Sequence, residues 1–288
     1  MDFADTLVAW FDTNARDLPW RRAEAGPWGV LVSEVMLQQT PVSRVEPVWY
    51  RWLARWPCPA DLAADPPAEA IREWGRLGYP RRALRLHACA TSIVARHGGE
   101  VPPGLGDLLA LPGIGGYTAR AVAAFAFGQR QPVVDTNVRR VVARAVTGAA
   151  DAGPATTAAD LAAVAGLLPD EPARAARASA AFMELGALVC TARAPRCDAC
   201  PVAGSCAWRG AGRPPSSGPS RRPQGYAGTD RQVRGLLLAV LRDATGPVPG
   251  TRLDLVWPDA TQRTRALTSL VEDGLVHALE GQRYALPR

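Results

Sequence analysis

The sequence predicts a mainly α-helical protein ending in a small α+β domain of winged-helix type, and three observations carry that expectation. Apolar residues recur at intervals of three and four through most of residues 3–209, the period of helices with one buried face, and strand-like alternation is almost absent there. The composition then changes over 210–228 to a Pro/Gly/Ser-rich stretch with three arginines and no acid, which reads as a flexible basic linker. Beyond it, two amphipathic helices (229–243 and 260–273) precede GLVHALEGQRYAL (274–286), which alternates like two short strands around the turn Glu280-Gly281.

The helical windows run over 30–39, 44–56, 83–96, 118–127, 133–146 and 174–190, with Pro and Gly punctuation between them. With 288 residues, 48% hydrophobic and 21% charged, the chain can bury a sizeable core and is not a disordered one. No apolar run approaches the roughly 18 residues of a membrane span, and the acidic start MDFADTLVAWFD lacks the basic flank of a secretory signal. The expected location is therefore the cytoplasm, with no membrane partner. All thirty-three basic residues are arginine. The absence of lysine excludes chemistry through a side-chain lysine Schiff base, because arginine cannot become a neutral nucleophile. A formal charge of +6 suits a polyanionic partner but is mild.

Four of the six cysteines, Cys190, Cys197, Cys200 and Cys206, form a C-x6-C-x2-C-x5-C pattern able to wrap one metal centre. A reducing compartment disfavours disulfides, so the choice is Zn²⁺ or an iron–sulfur cluster. The spacing leans to the cluster, because Cys-rich zinc sites more often use two C-x2-C pairs. Cys58 and Cys89 are expected to be inert thiols in the helical core.

Leu111-Pro112-Gly113-Ile114-Gly115-Gly116-Tyr117 precedes an apolar helix. Gly113 and Gly115 permit a tight turn with positive φ, and the unpaired N–H groups of the following helix can grip a phosphate. A dinucleotide-binding reading fails, since LLALP before it is helical rather than a strand. L-P-G-I-G is the pattern of a helix–hairpin–helix, a DNA backbone clamp that positions without reading bases.

Two carboxylates stand out. Glu34 lies among Val35, Met36 and Leu37, an apolar setting that raises a carboxyl pKa and suits a general acid. Asp135, beside the donors Thr136 and Asn137, is expected to stay ionised. Cleavage of an N-glycosidic bond needs that division: one group protonates the leaving base and the other stabilises a cationic sugar. A surface role for Glu34 and an N-cap role for Asp135 are the structural alternatives.

The segments LPW (18–20), SEVMLQQT (33–40), GRLGY (75–79), LPGIGGYTA (111–119), VVDTNVRR (133–140), FMELGALVC (182–190) and the cysteine loop together decide the matter. The chain resembles the helix–hairpin–helix DNA glycosylases with an iron–sulfur loop, and within them the adenine glycosylases of the MutY type. The resemblance spans about 190 residues in family order. It implies a two-lobed helical fold: a six-helix lobe at about 22–130, an iron–sulfur lobe from 1–21 plus 131–209, and, after the linker, the winged-helix-like domain 229–288.

It further implies one [4Fe–4S] cluster per chain on the four cysteines, and a monomer acting on duplex DNA with adenine opposite 8-oxoguanine or guanine, nucleoid-associated in a bacterium. Glu34 would protonate the flipped adenine at N7 and Asp135 would stabilise the oxocarbenium sugar, with Tyr117 and Asn137 supporting them. Trp20, Arg21, Leu37 and Glu184 match positions lining the adenine pocket. Gln39 and Tyr79 match residues that enter the base stack and probe the opposing purine. Gln38, Thr40, Leu111, Gly113, Gly115 and Gly116 complete the expected DNA-binding set. Lyase relatives such as endonuclease III carry a Schiff-base lysine where this chain has Tyr117, so simple hydrolysis to an abasic site is implied. The alternatives are a thymine glycosylase for G·T mismatches and a non-catalytic DNA-binding protein on the same scaffold.

The chain departs from the family in two places. About 60 residues after the linker are too few for the Nudix-like domain many members carry. They offer either another DNA contact, through Arg231, Arg234, Arg263 and Arg265, or a cap on the catalytic region. Pro80 stands where a second tyrosine is common, and a fixed φ with no N–H could reshape the probing loop.

Overall fold

The computed structural model describes residues 3–153, 155–216 and 225–288, so the middle of the expected linker lies outside the described residues. The chain divides into two compact units: Met1–Val30, Pro103–Leu109 and Gly115–Ser220 form the first, and Leu31–Pro102, Ala110–Ile114 and Arg221–Arg288 the second.

The first unit is built on the helices Phe3–Asn14, Thr136–Val142, Ala158–Leu167 and Pro172–Leu188. Their apolar faces meet around Leu7, Phe11, Val138, Val141, Phe182 and Leu185. The 133–146 helix expected from periodicity is shorter. Val133 and Val134 are buried but extended, and the helix begins at Thr136 because Asp135 caps it, accepting 2.7 Å from the Val138 N–H. An apolar run feeding a cap reads as helical by period alone.

In the second unit, Trp52 stacks edge-on with both Trp56 and Trp74, at 4.6 and 5.7 Å between centroids. The expected helix at 30–39 spans Gly26–Met36, so Leu37, Gln38 and Gln39 lie past its end. Cys89 is buried, and burial pushes its thiol up to about 12. Cys58 is exposed at the start of Pro59–Ala64, which corrects its expected core placement.

The C-terminal segment runs helix Asp230–Arg242, strand β1 (Val248–Pro249), helices Gly250–Asp254 and Ala260–Glu272, then β2 (His277–Leu279) and β3 (Arg283–Ala285). The strands form an antiparallel sheet in the order β1-β3-β2, the winged-helix arrangement. β1 is too short and too proline-rich to show alternation in sequence. Ala68, Ile71 and Leu84 pack into the same core as Val233, Leu237, Leu241 and Leu270, so this domain is a continuation of the second unit. No helix among the described residues is long and apolar enough to cross a membrane.

Candidate active site and iron–sulfur loop

Asp135 belongs to the first unit. Its Oδ1 accepts from the Val138 N–H and its Oδ2 accepts 2.8 Å from Asn137 Nδ2. Burial nevertheless pushes the carboxyl above its ordinary value, against these donors and the nearby Arg140. The donors act as the sequence implies, and desolvation, which cannot be read from neighbouring letters, works against them. Tyr117 packs against the small apolar cluster of Ala121, Ala124, Val133 and Ala176.

Asn137 is itself held on two sides. Its Oδ1 accepts 2.8 Å from Arg140, which also donates to the carbonyls of Gly186 (2.7 Å) and Cys190 (2.6 Å). A Cβ at Gly186 would stand 2.7 Å from Asn137 Cβ, so glycine lets the Pro172–Leu188 helix close on this residue. Arg140 and Gly186 were missed in sequence; their places inside the motifs VVDTNVRR and FMELGALVC were the only available signal.

Glu184 is fully buried. Burial raises its pKa, but hydrogen bonds from Arg16 and Arg21 override this and hold it down at about 2. Arg16 binds it through its backbone N–H (2.8 Å), Nε (2.9 Å) and Nη2 (2.9 Å), and Arg21 adds a bond of 2.9 Å. Trp20 is buried beside them in sequence, and Arg21 also lies over the Phe11 ring at 5.2 Å. Arg16 is a further member of the set, invisible in sequence because its partner lies 168 residues away.

Glu34, Leu37, Gln38, Gln39, Thr40 and Tyr79 belong to the second unit. Glu34 is buried between the buried Ser33 and Val35, which excludes the surface alternative. Gln39 and Tyr79 are two of the four non-glycine residues with positive φ among those described (55° and 47°), and Tyr79 is 52% exposed. Such backbone strain collects where a side chain must be aimed.

Arg82 holds both. Its guanidinium donates to the carbonyls of Val35 (2.9 Å), Met36 (2.8 Å), Gln38 (2.6 Å) and Gly78 (3.1 Å) and to Thr40 Oγ1 (2.8 Å). It also lies against Trp74 and Tyr79, at 5.1 and 5.5 Å from the ring centres. Burial pushes it down to about 10, so it stays charged at neutral pH. Thr40 is buried and takes part in this network as an acceptor. Pro80, with φ −63°, opens the Arg81–His97 helix, where a missing N–H is harmless.

In the hairpin, Leu111 and Ile114 are buried while Pro112, Gly113 and Gly115 are exposed. Gly113 has φ 76°, and a Cβ there would meet Arg85 Cβ at 2.7 Å. Gly115 is extended (φ −94°), which corrects the expected positive φ; as the cap of Gly116–Phe125 it makes no side-chain hydrogen bond.

The four cysteines line one small cavity of about 20 Å³ with Arg144, Val189, Pro195, Ala203, Trp208 and Arg209. Among the described residues no three His, Cys, Asp or Glu side chains gather tightly enough for a single metal ion. Four thiols lining one cavity are the donor set an iron–sulfur cluster takes. Arg144 donates 3.5 Å to Cys190 Sγ and lies over Trp208 at 4.7 Å, placing a positive charge beside the sulfur set.

Comparison with known proteins agrees. Residues 32–165 match the HhH-GPD superfamily base excision DNA repair protein model, and 190–206 match the iron–sulfur binding domain of endonuclease III. The chain is 59% identical to an adenine DNA glycosylase of Mycolicibacterium smegmatis, covering 97% of this chain and 94% of that protein. It is 57% identical to an adenine DNA glycosylase of Mycobacterium tuberculosis (98% and 92%) and 42% identical to that of Homo sapiens (71% and 39%). A thermostable thymine-DNA glycosylase shares its fold, with a TM-score of 0.65 and 26% identity over 73% of this chain and 95% of that one. Endonuclease III in a non-covalent DNA complex is similar in fold alone, with a TM-score of 0.61 and 24% identity over the same shares. With Asp135 capping its helix and seated by Asn137, and the four-cysteine loop matched as an iron–sulfur binding domain, the chain belongs to the adenine DNA glycosylase family of the HhH-GPD superfamily.

Proposed function

We propose that the protein hydrolyses adenine from duplex DNA where adenine faces 8-oxoguanine or guanine, leaving an abasic site for base excision repair. The observation that carries this reading is Asp135, a carboxylate buried against its solvation preference yet pinned in place by Val138 and Asn137. A poorly solvated anion is held at low local dielectric, where it offsets a developing sugar cation more strongly than a hydrated one.

Glu34 delivers a proton to N7 of the flipped adenine. The C1′–N9 bond then breaks with its electron pair leaving on the base, Asp135 faces the oxocarbenium ion, and water completes the sugar. Tyr117 occupies the place of a lyase lysine, so no side-chain imine forms. Gln39 and Tyr79 hold the opened stack, and Gly113 with the N-terminus of Gly116–Phe125 faces its backbone N–H groups to phosphates. Bound on Cys190, Cys197, Cys200 and Cys206, a [4Fe–4S] cluster crosslinks the loop. The protein works as a monomer on the nucleoid.

Duplexes with adenine opposite 8-oxoguanine, adenine opposite guanine and thymine opposite guanine, treated with alkali after incubation, test the reading. Cleavage at adenine is expected, and no alkali-labile adenine site overturns it. Thymine release would favour the second reading, which the fold shared with a thymine-DNA glycosylase raises. Glu34 speaks against that one, since a pyrimidine has no N7.

A further inference from the structure

The segment Gly75–Arg82, which carries Tyr79, is gripped at both ends by the C-terminal domain. At its start two arginines are exchanged. Arg72 of the Pro67–Trp74 helix donates to the carbonyls of Arg242 (3.2 Å) and Ala244 (3.0 Å), at the end of helix Asp230–Arg242. Arg242 in turn donates to the carbonyl of Gly75, where the Pro67–Trp74 helix stops. Each cation thus satisfies the uncapped carbonyls of the other's helix. At its far end Arg81 pairs with Asp273 (3.1 Å), and Asp273 is held from behind by Arg234 (2.5 Å). Ala68, Ile71 and Leu84 enter the domain's apolar core, and the Ala68 N–H donates 3.1 Å to the carbonyl of Pro287.

Between these anchors Tyr79 stands half exposed in the left-handed region, a pose that persists only when its surroundings dictate it. Three of the domain's arginines are paired with its own acids. Arg234 is held by Ser269 and Asp273, Arg263 by Asp254 and the Trp257 carbonyl, and Arg265 by both oxygens of Asp230.

We infer that the C-terminal domain sets the discrimination of the base opposite adenine by fixing the Tyr79 loop through Asp273–Arg81 and Arg242–Gly75, with Asp273 and Arg242 as positioning residues. This rests on the reading of Tyr79 as the probe of the opposing base.

Single-turnover adenine release is measured with the full chain on duplexes that differ only in the base opposite adenine: 8-oxoguanine, guanine or cytosine. Asp273→Ala leaves Arg81 free to move. The preference for an opposing purine over cytosine should fall roughly fivefold, the scale of one partly exposed ion pair. Arg81→Ala, at a largely exposed side chain, should do the same with the fold intact, and the double variant should lose no more than either single. In a Tyr79→Ala background Asp273→Ala should leave the preference unchanged, because the effect runs through Tyr79. Equal slowing on every duplex, additive losses, or an undiminished preference would overturn the inference while the functional reading stands. A wild type inert toward adenine in every duplex would overturn both.

Discussion

Asp135 and Glu184 show how one residue type is driven in opposite directions by its surroundings. Around Asp135 burial outweighs two close donors and the carboxyl is raised. Around Glu184 two arginines outweigh burial and it falls to about 2. The signs give distinct expectations. A raised folded-state pKa means Asp135 supports folding at low pH and loses that support as pH climbs through its raised value. Asp135→Asn keeps the helix cap, so urea unfolding at neutral pH should show no loss of stability, while adenine release falls about 10³-fold, as when a single oriented charge or dipole is removed. In the wild type, the acid limb of the rate profile should lie above the ordinary aspartate value of 3.8, because only the ionised carboxylate offsets the sugar cation. Glu184 contributes above the ordinary glutamate range and loses that contribution as pH falls toward 2. Glu184→Gln should cost about 2 kcal/mol by urea titration at pH 7, less than a fully buried pair because Arg16 keeps access to water.

At the scale of elements, a single arginine takes over the end of one helix and the loop before another. The carbonyls of Val35 and Met36 come at the end of the Glu34 helix, where no intrahelical N–H follows, and Arg82 supplies the missing donors while reaching Gln38, Thr40 and Gly78. Lysine has too few donors and no planar fork for that many acceptors. Arg82→Lys should lower stability by about 2 kcal/mol through buried acceptors left unmatched. It should also weaken binding to an adenine-mispair duplex, since Gln39 and Tyr79 lose their common anchor; calorimetric unfolding and a binding isotherm check the two effects. The motif letters in SEVMLQQT and GRLGY marked these segments as important, yet nothing in them showed that one side chain joins the two. Cap chemistry, by contrast, was legible: Asp135 is both the cap and the candidate stabiliser, because one geometry serves both.

Across the whole molecule, all thirty-three cations are arginine, permanently charged and able to bind phosphate in a bidentate manner. Many are committed internally: Arg16 and Arg21 to Glu184, Arg82 to backbone carbonyls, Arg140 to the cysteine loop. The remainder, with the backbone donors at the hairpin, should make binding to undamaged duplex fall steeply with salt, by a slope of about −0.9 per neutralised phosphate. A dissociation constant unchanged between about 50 and 200 mM salt would contradict a phosphate-based grip.

The sequence by itself determined the helical class, the winged-helix ending, the cysteine loop, the hairpin and the two carboxylates, because each is a local pattern of spacing, turn chemistry or residue type. It missed the short edge strand β1, whose two residues cannot alternate, and the desolvation that pushes Asp135 upward. Only the tertiary structure decided which arginines serve carbonyls and which serve acids, that Gly186 makes room for Asn137, and that the C-terminal domain holds the Tyr79 loop. Desolvation and partner choice depend on groups up to about 170 residues apart in the chain, and no window of letters contains both members of such a pair.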